Sequence, residues 1–347
     1  MRTKCLIVAI TSLAAGSLWV GISQAAPRSV GAGVASAEVA GSSASHVVAA
    51  QLFAKVAGPD PGPFGTSLEG AAFNSHGDFY FVNTTAPRGR PKLMSLDLTT
   101  RKVSHLYTDA HSMLNCIGFA PDGAMDLCDI KGQRVVRFNP VTKRLVNVLT
   151  SVGKSSFVPD DLTIDRSGNM YIADYQGTPT SPTGRILLLP ADGKADKAQV
   201  VLAGLAHPNG IVLAHGQTSL WIDEDLSGTL DHVAEQFSSP AAKAPTVTLH
   251  TAAYLNLGAN AYTDSLTTDG RGNVYMAVYG AGEVIEFNPD GIQIGRVVFP
   301  RSAPRVTHVA IEPGTRRAFV TASGPGGGYI YTFPALAAAP AGVPNGG

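Results

Sequence analysis

Six oxygen-bearing side chains stand at one phase of a recurring pattern: Glu69, Asn115, Asp160, Asn209, Asp264 and Thr307. Five of them are carboxylates or carboxamides. Gathered around one axis, such groups suit a hard cation such as Ca2+, which takes six to eight oxygens at roughly 2.3–2.6 Å. Without a cation, Glu69, Asp160 and Asp264 repel one another, a cost that a proton or a metal removes. The plain alternative for any one of them is a polar residue capping the turn before a strand. Agreement in phase across the copies favours a shared site.

The next residue in each copy is Gly70, Cys116, Asp161, Gly210, Ser265 and His308. Asp161 is expected to support the metal site or to hold a second ion deeper in the same channel. His308 is expected at the channel mouth, as a general base or substrate contact, with a turn or packing histidine as the alternative. Ser265 joins Asp161 as a substrate contact or supporting group.

The phase itself comes from a hairpin unit. In Val158–Gly177 (VPDDLTIDRSGNMYIADYQG), Leu162 and Ile164 alternate with Thr163 and Asp165. The polar turn 166–169 follows, and alternation resumes at Met170. Period-2 alternation around a glycine-bearing turn predicts a β-hairpin. Five other stretches repeat it, with first core residues Phe73, Phe119, Leu213, Thr268 and Ile311 beside Ile164. The steps between these six are 46, 45, 49, 55 and 43 residues. A period in the forties with several short strands per unit predicts β-propeller blades. The expected fold is therefore all-β, a six-bladed β-propeller over 46–335. The residue four before each core starts the innermost strand, which faces the central channel. Only one clear strand, Tyr329–Phe333, follows the last core, so the lone strand His46–Ala57 is expected to complete that blade and close the ring.

Arg2 and Lys4 precede an apolar run over Leu6–Ile22, and Ser23-Gln24-Ala25 offers small residues for cleavage. This predicts a secretory signal peptide over 1–25, followed by a flexible linker over 26–45; 336–347 reads as a flexible tail. Location is then secreted or periplasmic, with no membrane attachment after the signal is removed. In an oxidising compartment Cys116 and Cys128 can form a disulfide; two buried thiols are the alternative. The chain is turn-rich, with 38 Gly and 23 Pro, and its net charge is +0. Neutrality without a basic run argues against nucleic acid as a partner.

Other motifs fail. Asp223–Gly228 begins like a calcium hand, but the twelfth position is Ala234 rather than Glu. Gly153-Lys154-Ser155 lacks the glycine a phosphate loop needs five residues before the lysine, where Leu149 stands. There is no G-x-S-x-G elbow, and Trp221 reads as strand core.

The chain resembles the senescence marker protein/gluconolactonase superfamily of six-bladed propellers, and within it the bacterial drug-responsive lactonases. Matching stretches are Leu68-Glu69-Gly70, Pro159-Asp160-Asp161-Leu162, Asn209-Gly210-Ile211, Asp264-Ser265, Asn273–Gly280, Gly282–Ile294 and Thr307-His308. The resemblance implies a Ca2+-dependent lactonase, with another divalent cation as the alternative. It implies one axial ion held by Glu69, Asp160, Asn209 and Asp264. Asn115, without a counterpart there, is then a substrate contact or a support to the ligands. A small-molecule lactone would be opened by metal polarisation of its carbonyl, with Asp264 or Asp160 as base on the attacking water. The rival reading is a non-catalytic, metal-containing propeller that binds a small molecule or protein; a third is a purely structural Ca2+.

Overall fold

The computed structural model describes residues 46–237, 247–257 and 261–343. The stretches read as signal peptide and linker lie outside the described residues. The described chain is built of strands, with one short 3-10 turn at Ala195–Lys197. Six sheets, each with four strands joined antiparallel and one carrying a fifth, parallel strand, follow one another as blades. Their inner strands are Leu68–Phe73, Leu114–Phe119, Pro159–Ile164, Pro208–Leu213, Thr263–Thr268 and Arg305–Ile311. Each expected hairpin is present: its first arm is the inner strand of a blade and its second arm the next strand outward.

The expected strand over His46–Ala57 divides at Ala50. Gln51–Ala57 pairs antiparallel with Gly327–Pro334 as the outer strand of blade 6. His46–Ala49 pairs parallel with Gln293–Val298, a fifth strand on blade 5. Blades 6 and 1 meet at the axis, where Thr307 Oγ1 donates to Leu68 O at 2.7 Å and Leu68 N donates to Ser323 Oγ at 3.0 Å. The chain after blade 6 does not behave as a loose tail over its described length. Leu336 N donates to Tyr275 Oη at 2.7 Å and Ala337 N to Asp269 Oδ2 at 3.0 Å, and Ala337 and Ala339 are buried. Alanines fit beneath the turns of blades 5 and 6, where larger side chains would not.

Apolar side chains fill the spaces between neighbouring blades. Phe73 and Phe79 of blade 1 pack on Phe319 of blade 6, with ring centroids 5.6 and 5.5 Å apart. Trp221 lies between blades 4 and 5 beside Met276 and Phe287 and is strand core, as expected. Each fully buried aromatic contributes about 2–3 kcal/mol over an exposed one. Cys116 and Cys128 are bridged, their Cα atoms 5.0 Å apart, which joins the two inner strands of blade 2.

One irregularity recurs in every inner strand. Glu69 faces Val82 and Ala72 faces Tyr80, so three steps on the inner strand oppose two on its partner. The same extra residue follows Leu114, Pro159, Pro208 and Thr263. In blade 6 it falls between Val306 and His308. Each is a β-bulge, which re-aims the side chains it contains.

Candidate active site

The bulges contain the residues found at one phase in the sequence. Glu69, Asn115, Asp160, Asn209 and Asp264 line one cavity of about 260 Å³ at the start of the inner strands. A regular strand would send successive side chains to opposite faces. With one residue added, the following residue serves a different space. Asp161 and His308 line a second, smaller chamber of about 30 Å³, further along the inner strands and flanked by Leu162, Ile211 and Leu266. Thr307 Oγ1 donates to Leu68 O at 2.7 Å and also meets Thr321 Oγ1 and the Glu69 side chain, so the sixth member of the phase links blades beside the cavity.

The four residues expected as ligands, Glu69, Asp160, Asn209 and Asp264, therefore share one cavity, and each is less than a tenth exposed. Asn115 supports it: its Nδ2 donates to Asp160 Oδ2 at 3.1 Å and its Oδ1 accepts from Thr84 Oγ1 at 3.2 Å. Ser265 N donates to Asp264 Oδ1 at 2.9 Å, and the Ser265 side chain hydrogen-bonds Asp161. His308 does not share the larger cavity. It is in the smaller chamber rather than at the mouth, its Nδ1 has no hydrogen-bond partner, and burial holds its pKa down at about 4. A neutral imidazole shut below the ligand set does not meet a substrate at the mouth.

Burial pushes the acids' proton affinities up. Glu69 is raised well above the usual range by burial first, then by Asp160 and Asp161. Asp160 is raised by burial, Asp161 and Asp225, and Asp264 by burial, Glu69 and Asp160. Burial lifts Asp161 to about 7. No lysine or arginine is among the described residues lining the cavity.

A divalent cation fits these residues. Glu69 Oε2 and Asn209 Oδ1 are buried in the cavity wall without a hydrogen-bond partner. Orphaned buried acceptors are rare and call for a donor or an ion. Among the described residues no three His, Cys, Asp or Glu side chains stand close enough together to hold a metal ion.

Sequence reasoning missed the wall beside these ligands. Ile130, Tyr175, Asp225 and Tyr279 line the same cavity. Each is the residue after the second strand of its blade, eleven or twelve residues after the core residues used to set the phase. That second phase was available in the sequence. Asp223 and Asp225, set aside with the failed calcium hand, both belong here. Asp223 Oδ1 accepts from Gly210 N directly behind Asn209, and Asp225 faces the cavity.

The sequence profile of the SMP-30/Gluconolactonase/LRE-like region matches residues 89–324, more than half of the chain. The lactonase drp35 of Staphylococcus haemolyticus (strain JCSC1435) is 24% identical over 285 residues, 79% of this chain and 85% of that protein. Among solved structures, a calcium-binding protein, regucalcin, from Agrobacterium tumefaciens superposes with TM-score 0.65 at 16% identity, covering 83% of this chain and 94% of that one. A gluconolactonase from Xanthomonas campestris superposes with TM-score 0.60 at 16% identity, covering 85% and 99%. At such identities the two superpositions speak for the fold alone.

Proposed function

Because this chain belongs to the SMP-30/gluconolactonase/LRE-like family, we propose that it is an exported, Ca2+-dependent hydrolase that opens lactone rings. One observation carries the reading: Glu69 Oε2 and Asn209 Oδ1, both buried and unpartnered, point to one acid-lined cavity shared with Asp160 and Asp264. The likeness to the lactonase drp35 over 79% of the chain supports the substrate class. The Cys116–Cys128 bridge and the charged, apolar and small-residue order of residues 2–25 support export. Among the described residues no helix is long and apolar enough to cross a membrane.

Glu69, Asp160, Asn209 and Asp264 would hold the ion. When bound, a divalent cation supplies Lewis-acid polarisation of the lactone carbonyl and neutralises the acids. Asp264 or Asp160 holds the attacking water and takes its proton. The water oxygen bonds to the carbonyl carbon, the ring C–O bond breaks, and the proton passes to the departing ring oxygen. Water and lactone become one hydroxy acid. Tyr175, Tyr279 and Ile130 flank the ring and limit solvent. The product carboxylate then lies among acids with no lysine or arginine beside it, which favours its release.

The test is to express the chain from residue 26, strip it with chelator, and assay γ- and δ-lactones with and without Ca2+. Hydrolysis that disappears on chelation and returns with Ca2+ is the expected result. Tight Ca2+ binding without hydrolysis of any lactone points instead to a non-catalytic binding propeller.

A further inference from the structure

The residue after the second strand is Thr84, Ile130, Tyr175, Asp225 and Tyr279 in blades 1 to 5, and the corresponding place in blade 6 is Ser323, still within its strand; Ile130, Tyr175, Asp225 and Tyr279 line the cavity. Most of the polar groups at these places are already engaged. Thr84 Oγ1 donates to Leu114 O at 2.8 Å, Ser323 Oγ accepts from Leu68 N, and Tyr279 hydrogen-bonds Arg305. Tyr175 Oη donates to Asp225 Oδ2 at 2.7 Å, so Tyr175 and Tyr279 both present ring carbon to the cavity. Asp225 is the one charged member, and it is 5% exposed.

The Asp225 carboxylate is held from several sides. His207 Nδ1 lies 2.8 Å from Oδ1, and the His207 and Tyr175 rings meet at a tilt of 33° with centroids 3.5 Å apart. Asp225 N donates to His207 O at 3.1 Å, and His207 N donates to Gln176 O at 2.9 Å. These bonds join the exits of blades 3 and 4 and leave the carboxylate little freedom. A carboxylate offers about four acceptor directions, of which Tyr175 and His207 take two. Both oxygens are hydrogen-bonded, unlike Glu69 Oε2 and Asn209 Oδ1, and the residue is outside the bulges. Asp225 is therefore separate from the ligand set, yet it faces the same cavity.

We propose that Asp225 is a specificity-determining residue that accepts a hydrogen bond from an O–H or N–H donor carried on the lactone ring. This rests on the lactone-hydrolase reading above. The cavity wall also holds Ile130, Thr263 and the three tyrosines Tyr175, Tyr262 and Tyr279, and a substituent without a donor leaves the two remaining acceptor directions of the carboxylate without a partner from the substrate. A substituent bearing an anion meets only like charge. A site that hydrogen-bonds a substrate hydroxyl discriminates strongly against the analogue that lacks it.

The test compares α- and β-hydroxy-γ-butyrolactone with their methyl counterparts, which differ by the donor at nearly constant size. The wild-type chain is expected to favour one hydroxyl lactone over its methyl partner by at least about tenfold in kcat/KM. Asp225→Asn lowers that ratio to within about threefold, and Asp225→Ala does the same if the Asn variant proves unstable. Tyr175→Phe, which keeps Asp225 and the ring, retains most of the ratio. A wild-type chain that treats both lactones alike overturns the proposal. So does an Asp225→Asn chain that loses both activities equally, the mark of a role in holding the wall. Turnover of neither lactone by the Ca2+-loaded wild type overturns the lactonase reading itself.

Discussion

Glu69, Asp160, Asp161 and Asp264 are buried beside one another, and each keeps its proton to a higher pH than an exposed acid. Folding therefore tightens proton binding at four places. Their stabilising contribution is complete below about pH 4 and is lost as pH rises through the raised values, about 7 for Asp161. His308 acts with the opposite sign. Its folded value of about 4 is below the ordinary 6.5, so it costs stability only as pH falls below 6.5. Between pH 6.5 and 8.5 the acids dominate. The chelated chain is expected to melt roughly 5–10 °C lower at pH 8.5 than at pH 6.5. Added Ca2+ should raise the melting temperature more at pH 8.5, because the ion replaces protons. A melting temperature that is flat or rising over this window without metal goes against the shared acidic cluster. These four acids were legible in the sequence because repeat phase reports position around the axis. What became of His308 was not, because phase does not say which side of a bulge a residue serves.

At the scale of the strand, the bulge lets one short segment furnish two chambers. Blade 1 shows what this requires of the backbone. Gly70 follows Glu69 with φ of +58°, and a Cβ there would lie 2.7 Å from Asn115 O. Gly70→Ala is expected to cost about 2–4 kcal/mol in urea unfolding, from the left-handed conformation and from the displaced neighbouring strand. Gly77→Ala is the control. Its φ is +84°, but nothing lies within 4 Å of its Cβ, so about 1 kcal/mol is expected. Equal costs at both sites would show that the inner strands are not tightly apposed at the site. Alternation made all six hairpins readable, since period 2 belongs to any half-buried strand. The bulges left no such mark: one added residue within apolar and small side chains barely disturbs alternation. The break at Ala50 was hidden for the same reason. Ala335, Ala337 and Ala339 look featureless in sequence, and their burial depends on the blade turns they meet.

The whole chain has a net charge of +0, and at the scale of the molecule a group of acids is gathered at the cavity between the inner strands. Four carboxylates line the cavity, Asp161 and Asp223 stand behind them, and no described lysine or arginine answers them there. Such a distribution suits a cation and a neutral substrate, and the proposed reaction supplies both. Blade number and order were legible from the spacing of the repeats. The cavity wall with Asp225 was not sought, because the acids around it resembled a calcium hand and failed its pattern. On the proposed function, the bulged inner strands hold one ion on which lactone opening depends. That dependence is tested most directly by titrating Ca2+ into the chelated chain while bound ions and lactone hydrolysis are measured on the same sample. The expected result is turnover that rises with the first ion bound per chain and a loss of both binding and turnover in Asp264→Asn. Full turnover in the chelated chain, or an Asp264→Asn chain that binds and hydrolyses like the wild type, would contradict it.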